Sequence, residues 1–213
     1  MRKLNIPFYG NTKDDSHCAQ ACFKMVLKHF LPRKSFSYKL LDRVTLHKKG
    51  LWVGVSGGLI FFAEQGLRIV NIELFDYRTF ANKGQDYLRK LWSSDFFSIQ
   101  SEKMDFRNEQ SLAKRMIRTK SITHKNRPPT MIDVDNLFGE GYVIVANINP
   151  FMLDGVNDYA GHSVVITGVS KKSITFHDPG LPPAPNLTVS RNLFQRAFLH
   201  PDRRYAKLYA VTN

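Results

Sequence analysis

The chain has 213 residues, 43% hydrophobic and 23% charged, which suffices for one compact domain with a substantial core and excludes a disordered chain. No run approaches the roughly 18 apolar residues of a membrane-spanning helix, and MRKLNIPFYGNTKDD offers no apolar stretch for a signal peptide, so a cytoplasmic location and no membrane partner are expected. A net charge of +13 invites a nucleic-acid reading, but residues 131–190 are acidic and the basic residues lack regular aromatic interleaving, so nucleic acid is not the expected partner. Cys18 and Cys22 lie too close for a useful disulfide, as in a reducing compartment.

In chain order, SHCAQACFKMVLKHF (16–30) has the three-four apolar spacing of an amphipathic helix, preceded by cap-rich NTKDDS and stopped by Pro32. LLDRVTL (40–46) predicts a second helix. The apolar run Leu59–Ala63 predicts a third, stopped by Gly66, and Arg68–Glu73 predicts a strand. Helical regions follow over Gly84–Trp92 and around Glu109–Met116, before a break at RPPT (127–130). Beyond it, YVIVANIN (142–149), HSVVITGVS (162–170), SITFHDP (173–179) and KLYAVT (207–212) read as strands, with Lys171 and Lys172 at a hairpin turn. The expected architecture is α+β, one domain over 1–213 with a helical lobe over 1–130 and an antiparallel sheet lobe over 131–213.

Cys18 opens a helix, where free amides and the helix dipole stabilise a thiolate. A nucleophile of this kind needs a base, and His162 heads a strand directly after Gly161, whose missing side chain leaves room for a partner to approach. Asp178, at the end of the next strand, comes alongside His162 if the two strands form a hairpin, and there it can orient the imidazole.

Those segments, HCAQACFKM (17–25), AGHSVVITGV (160–169) and SITFHDPG (173–180), resemble the papain-like cysteine peptidases of the bacteriocin-processing, double-glycine-leader type, in stand-alone form. The resemblance leaves 51–130 unmatched. It implies a papain-like fold, a peptide or amide substrate, no cofactor, Cys18 as nucleophile, His162 as general base and acid, and Asp178 as the orienting residue. In that family a glutamine about six residues before the cysteine supplies one oxyanion-hole donor. Here that position is Thr12, beside Asn11, and these two are the expected oxyanion-hole candidates. Ala19 stands where the family has glycine.

The expected activity is a thiol-dependent hydrolase, a cysteine peptidase acting through a thioester. The same residues also serve an acyl- or aminoacyltransferase, or a binding module with a degenerate oxyanion hole. No metal is expected, because Cys18, Cys22, His162 and His177 lack the compact knuckle spacing of a zinc site. Cys22 reads as core, His17 as a solvated or capping residue, and His177 as turned to the opposite face from Asp178. Asp133 and Asp135 read as strand or turn residues facing solvent. The glycines of GVSGGL (54–59) allow close approach of an extended peptide or of the Cys18 helix. Segment 75–130 is expected to set specificity, and none of these residues specifies an oligomeric state.

Overall fold

The computed structural model describes residues 2–156 and 158–213. After a short strand β1 (Arg2–Lys3), helix α1 (Cys18–Phe30) buries Ala21, Cys22, Phe23, Met25, Val26 and Leu27. The helix begins at Cys18, two residues later than the spacing alone suggests. The Asn11 side-chain oxygen accepts the His17 amide at 2.7 Å and holds His17 outside the helix at φ −119°, ψ 26°.

Helix α2 (Tyr38–Thr45) is capped by Ser37, whose hydroxyl accepts the Leu40 amide. Helix α3 (Ser56–Glu64) starts earlier than expected and takes the glycines into its first turn. Both have a packing reason. A Cβ on Gly57 would lie 2.7 Å from Thr45 Cα, and one on Gly58 would lie 2.4 Å from the Phe23 ring. Gly66, at φ +88°, ends the helix as expected and leads into β2 (Arg68–Glu73).

An additional helix, α4 (Tyr77–Lys83), precedes the one expected over 84–92, which is α5 (Gln85–Leu91), the two divided by Gly84 at φ +53°. Asp76 starts the first by accepting the Thr79 amide at 2.9 Å. The unforeseen α6 (Ser94–Lys103) follows a Ser93 cap, and α7 (Phe106–Met116) follows an Asp105 cap.

Strand β3 (Ile122–Asn126) and helix α8 (Met131–Gly139) were also not foreseen. Asp133 and Asp135 therefore lie on a helix, not on a strand or turn. Asp133 forms a reciprocal capping box with Thr130 and pairs with Arg127 at 2.8 Å. The remaining elements are β4 (Val143–Ile148), β5 (His162–Val169), β6 (Ser173–Asp178), β7 (Ala184–Ser190), α9 (Arg191–Leu199) and β8 (Lys207–Thr212).

The sheet order is β3-β2-β8-β4-β5-β6-β7, with β1 added beside β5. Its pairings are antiparallel except β2 with β3. The mixed α+β class holds, with a correction to the division at residue 130. Three strands before that point join the sheet, and two helices after it cover one of its faces.

Alternation along the central strands separates the two cores. Val143, Val145, Val165, Tyr209 and Val211 pack with α1, α3 and α7, whereas Ile144, Ala146, Val164, Ile166, Leu208 and Ala210 pack with α8 and α9. The central strands are therefore buried on both sides and read as continuous apolar runs. Among the described residues no helix is long and apolar enough to cross a membrane.

Gly57→Ala is expected to lower stability by about 1 to 3 kcal/mol, because the added methyl meets the α2 backbone, not the end of a movable side chain. A urea melt should show a lower midpoint at unchanged slope. An unaltered midpoint would mean that α2 and α3 are not packed this tightly.

Candidate active site

Helix α1 points its N-terminus at the start of β5 and the end of β6. There Cys18, His162 and Asp178 line one cleft. The hairpin through Lys171 and Lys172 aligns the two strands, with Val165 opposite His177 and a bulge between Ile166 and Gly168. His162 Nε2 lies 2.6 Å from Asp178 Oδ1, and that oxygen also accepts the Gly180 amide at 2.8 Å. Nε2 is thereby taken, which leaves Nδ1 to meet the Cys18 thiol, the ring's other hydrogen-bond partner.

The electrostatics follow from this chain of contacts. Burial raises the Cys18 thiol, but the His162 hydrogen bond and charge, with backbone contacts from Ser163 and Ala19, bring it below its ordinary value. Burial lowers His162, yet Asp178 and Cys18 together carry it up to about 10. Asp178 is raised by burial and lowered further by His162 and the Gly180 amide, so it stays ionised. Both shifts act toward a thiolate beside an imidazolium held by a carboxylate.

Cys18 is half-buried at an N-terminus that has no side-chain cap. Cys22, one turn on, is fully buried, donates to the Ser163 carbonyl at 3.3 Å and is raised well above the ordinary thiol range by burial. His177 is also buried. Its Nε2 meets the Ile6 carbonyl at 2.9 Å and its Nδ1 accepts the Asn186 amide at 3.0 Å, so the ring ties the N-terminal segment to the sheet edge away from the cleft.

The oxyanion-hole expectation needs correction, since neither Asn11 nor Thr12 is among the cleft-lining residues. Asn11 donates its side-chain amide to Asp15 at 2.7 Å and accepts the Thr12 and His17 amides through its oxygen. The Thr12 hydroxyl contacts Asp14 at 2.6 Å and His17 Nδ1 at 2.7 Å. Both residues shape the loop that leads into α1.

His17 is likewise not solvated. It is buried, with Nε2 at 3.0 Å from Asp42. His17, Asp42 and His47 bring donor atoms within 4.8 Å of one another, the spacing at which three groups share a metal ion among the described residues. Here the two rings flank the carboxylate, His17 Nε2 at 3.0 Å and His47 Nδ1 at 3.5 Å from Asp42 Oδ1.

Gly161 is under no tight constraint, as a Cβ there would find nothing nearer than Asn147 at 3.4 Å. The glycine that makes room at the imidazole is Gly180, where a Cβ would stand 3.0 Å from Asp178 Oδ1 and 3.4 Å from the His162 ring. Its position directly after Asp178 and Pro179 was visible in the sequence. The rest of the cleft was not visible. It encloses about 640 Å³, and its far wall comes from segment 52–109. Asp133 and Asp135 take no part in the lining.

No protein-family model matches the chain, and no curated protein matches it. Among solved structures it is similar to the peptidase domain of Streptococcus ComA, a bi-functional ABC transporter involved in a quorum sensing pathway. The identity is 12% and the TM-score 0.49, over 98% of this chain and 97% of that one. A likeness at that level carries no functional weight.

Alkylation of Cys18 by iodoacetamide should remain fast well below the ordinary thiol pKa of about 8.5, because the lowered thiol and raised imidazole keep the thiolate populated there. His162→Ala removes the stabilising partner but leaves the burial, so the inflection should move upward. Rates read by mass spectrometry on both proteins check this. An ordinary profile that the substitution does not change would dissolve the pair.

Proposed function

We propose that the chain is a thiol-dependent hydrolase, a papain-like cysteine peptidase that cuts peptide or amide bonds through a thioester, with 1–213 acting as one unit. The observation that carries this reading is a half-buried thiol at an uncapped helix N-terminus, paired with an imidazole that a carboxylate holds at 2.6 Å, at the edge of a cleft of about 640 Å³.

In this reading the Cys18 thiolate attacks the carbonyl carbon and the C=O π electrons move to oxygen. As the tetrahedral adduct collapses, the C–N bond breaks and His162 gives its proton to the departing amine. Neutral His162 then takes a proton from water, the resulting hydroxide adds to the thioester, and collapse expels the thiolate and releases the acid. Asp178 keeps the imidazole oriented and favours its charged form throughout.

The free amides of the first turn of α1, that of Cys18 included, face the growing oxyanion. With Asn11 and Thr12 engaged elsewhere, the second donor of the family pattern is missing from its usual place. One such donor is worth about two to three decades in rate, so slow turnover is expected. The same observation favours, as the second reading, a peptide-binding module that retains the pair of groups without efficient hydrolysis.

Incubation with a peptide aldehyde or vinyl sulfone, followed by mass mapping, should place the adduct on Cys18 and leave Cys22 unmodified. Hydrolysis of a fluorogenic peptide library should disappear in Cys18→Ala and fall by about two to four decades in His162→Ala. An adduct with no turnover selects the binding module. Partition of the acyl group to an added amine in preference to water selects the transferase. Equal modification of both cysteines removes the thiol-enzyme reading altogether.

A further inference from the structure

Away from the thiol, the cleft wall is made of Trp52, Phe75, Tyr77, Phe80 and Phe106, and among these rings stands Glu109 of α7. Glu109 is 8% exposed. Its Oε1 accepts the Gly54 amide at 2.8 Å, while its Oε2 has no hydrogen-bond partner among the described residues. Gly54 is what admits the carboxylate, since a Cβ there would lie 2.3 Å from Oε2. Oε2 is not among the fully buried unpaired atoms, so the oxygen that Gly54 does not hold is accessible from the cleft Glu109 lines.

Glu109 and the thiol line the same cleft. Val53 and Val55, on either side of Gly54, share a cavity of about 30 Å³ with Ala19 and Ser163, the residues that follow Cys18 and His162. A substrate seated on Cys18 therefore lies in the cleft that the Glu109 wall lines.

The charge around this wall is also unusual for the protein. In a chain of net charge +13, the cleft outside Asp178 is lined by Asp15, Glu73, Glu109 and Asp154 against Arg204 and Lys207. Arg204 is already paired with Asp202 at 2.9 Å. Glu73 accepts from the Tyr77 hydroxyl and from Asn71 at 2.9 Å. Lys207 lies opposite Glu73 in the β2–β8 register but makes no ion pair with either glutamate within 4.0 Å among the described residues.

Resting on the peptidase reading above, we propose that Glu109 and its surrounding aromatic rings form a specificity subsite that takes the cationic side chain, lysine or arginine, of the peptide bound at Cys18. The free carboxylate oxygen meets the ammonium or guanidinium, and the ring faces flank it. Burial carries Glu109 up to about 7, against the Gly54 amide and Lys207, so an arriving cation also favours the ionised carboxylate it needs.

The experiment uses the full chain and a set of peptidyl chloromethyl ketones, alanine throughout except for lysine, arginine, norleucine or glutamate at the first or second residue before the ketone. Mass spectrometry reads the rate of Cys18 modification. The lysine or arginine probe should react about tenfold or more faster than norleucine, as a charge-assisted hydrogen bond requires, and glutamate should be slowest. Glu109→Gln keeps an oxygen for the Gly54 amide, and it should abolish the lysine preference, so that the lysine and norleucine probes react at similar rates.

Equal lysine and norleucine rates in the unaltered protein overturn the subsite whether or not the variant folds. So does a lysine preference that survives in folded Glu109→Gln. Failure of every probe to modify Cys18 overturns the peptidase reading and the subsite with it, so the two failures are distinguishable.

Discussion

The packing of α1 against β5 is the contact on which the rest of the site depends. Cys22 donates to the Ser163 carbonyl at 3.3 Å, and around it Phe23, Val26 and Val165 close a dry interface. A helix turns about 100° per residue, so this buried register alone determines that Cys18, one turn before Cys22, faces the head of β5. The two cysteines divide the work. Cys22 fixes the rotation of the helix as a small core residue, and Cys18 inherits its direction from it.

The same two thiols show why burial does not decide reactivity. Both lose hydration, which disfavours a thiolate. Cys22 meets a carbonyl oxygen, which can only accept from the thiol and so reinforces the neutral form. Cys18 meets an imidazole backed by Asp178, and Asp178 is in turn held by the Gly180 amide. Each desolvated group in that line is offset by the next, and the line ends on a backbone amide of the loop after β6. Gly180 has a double part in this, giving the amide and leaving space beside the ring.

How much of this was legible depends on whether the determining contacts are local. The α1 helix, the β5–β6 hairpin, β2 and β8 carry their signals in their own residues, as runs of apolar spacing or of β-branched side chains. The adjacency of β5 and β6 is legible as a hairpin, but the pairing of His162 with Asp178 also needs the bulge between Ile166 and Gly168, which shifts the register by one residue. Short capped helices were harder. Asp76 and Ser93 each start a helix whose apolar face is only two or three residues long, too short for periodicity to register. In α8 the capping box at Thr130 and Asp133 was present in the sequence, but the flanking prolines suggested a break, and the two aspartates looked like turn residues. The cleft wall was least legible, because Glu109 meets Gly54 across four intervening helices and a strand, 55 positions apart, and nothing in either segment names the other.

The loop before α1 explains both the fixed position of Cys18 and the absence of Asn11 and Thr12 from the cleft lining. Asn11 accepts two backbone amides, Asp15 holds Asn11, Thr12 and Ser16 contact the His17 ring, and Asp42 of α2 takes the far side of that ring. The backbone immediately before Cys18 is thus fixed from several directions, which suits a residue that must meet an imidazole at hydrogen-bond distance. Those same bonds use the polar groups that would otherwise face a substrate oxygen. In the proposed peptidase reading, stabilisation of an oxyanion falls to the uncapped amides of α1, whose alignment the loop itself maintains. Under that reading the site exchanges one side-chain donor for a rigid helix terminus, and the start of that terminus depends on how well His17 is kept out of the helix.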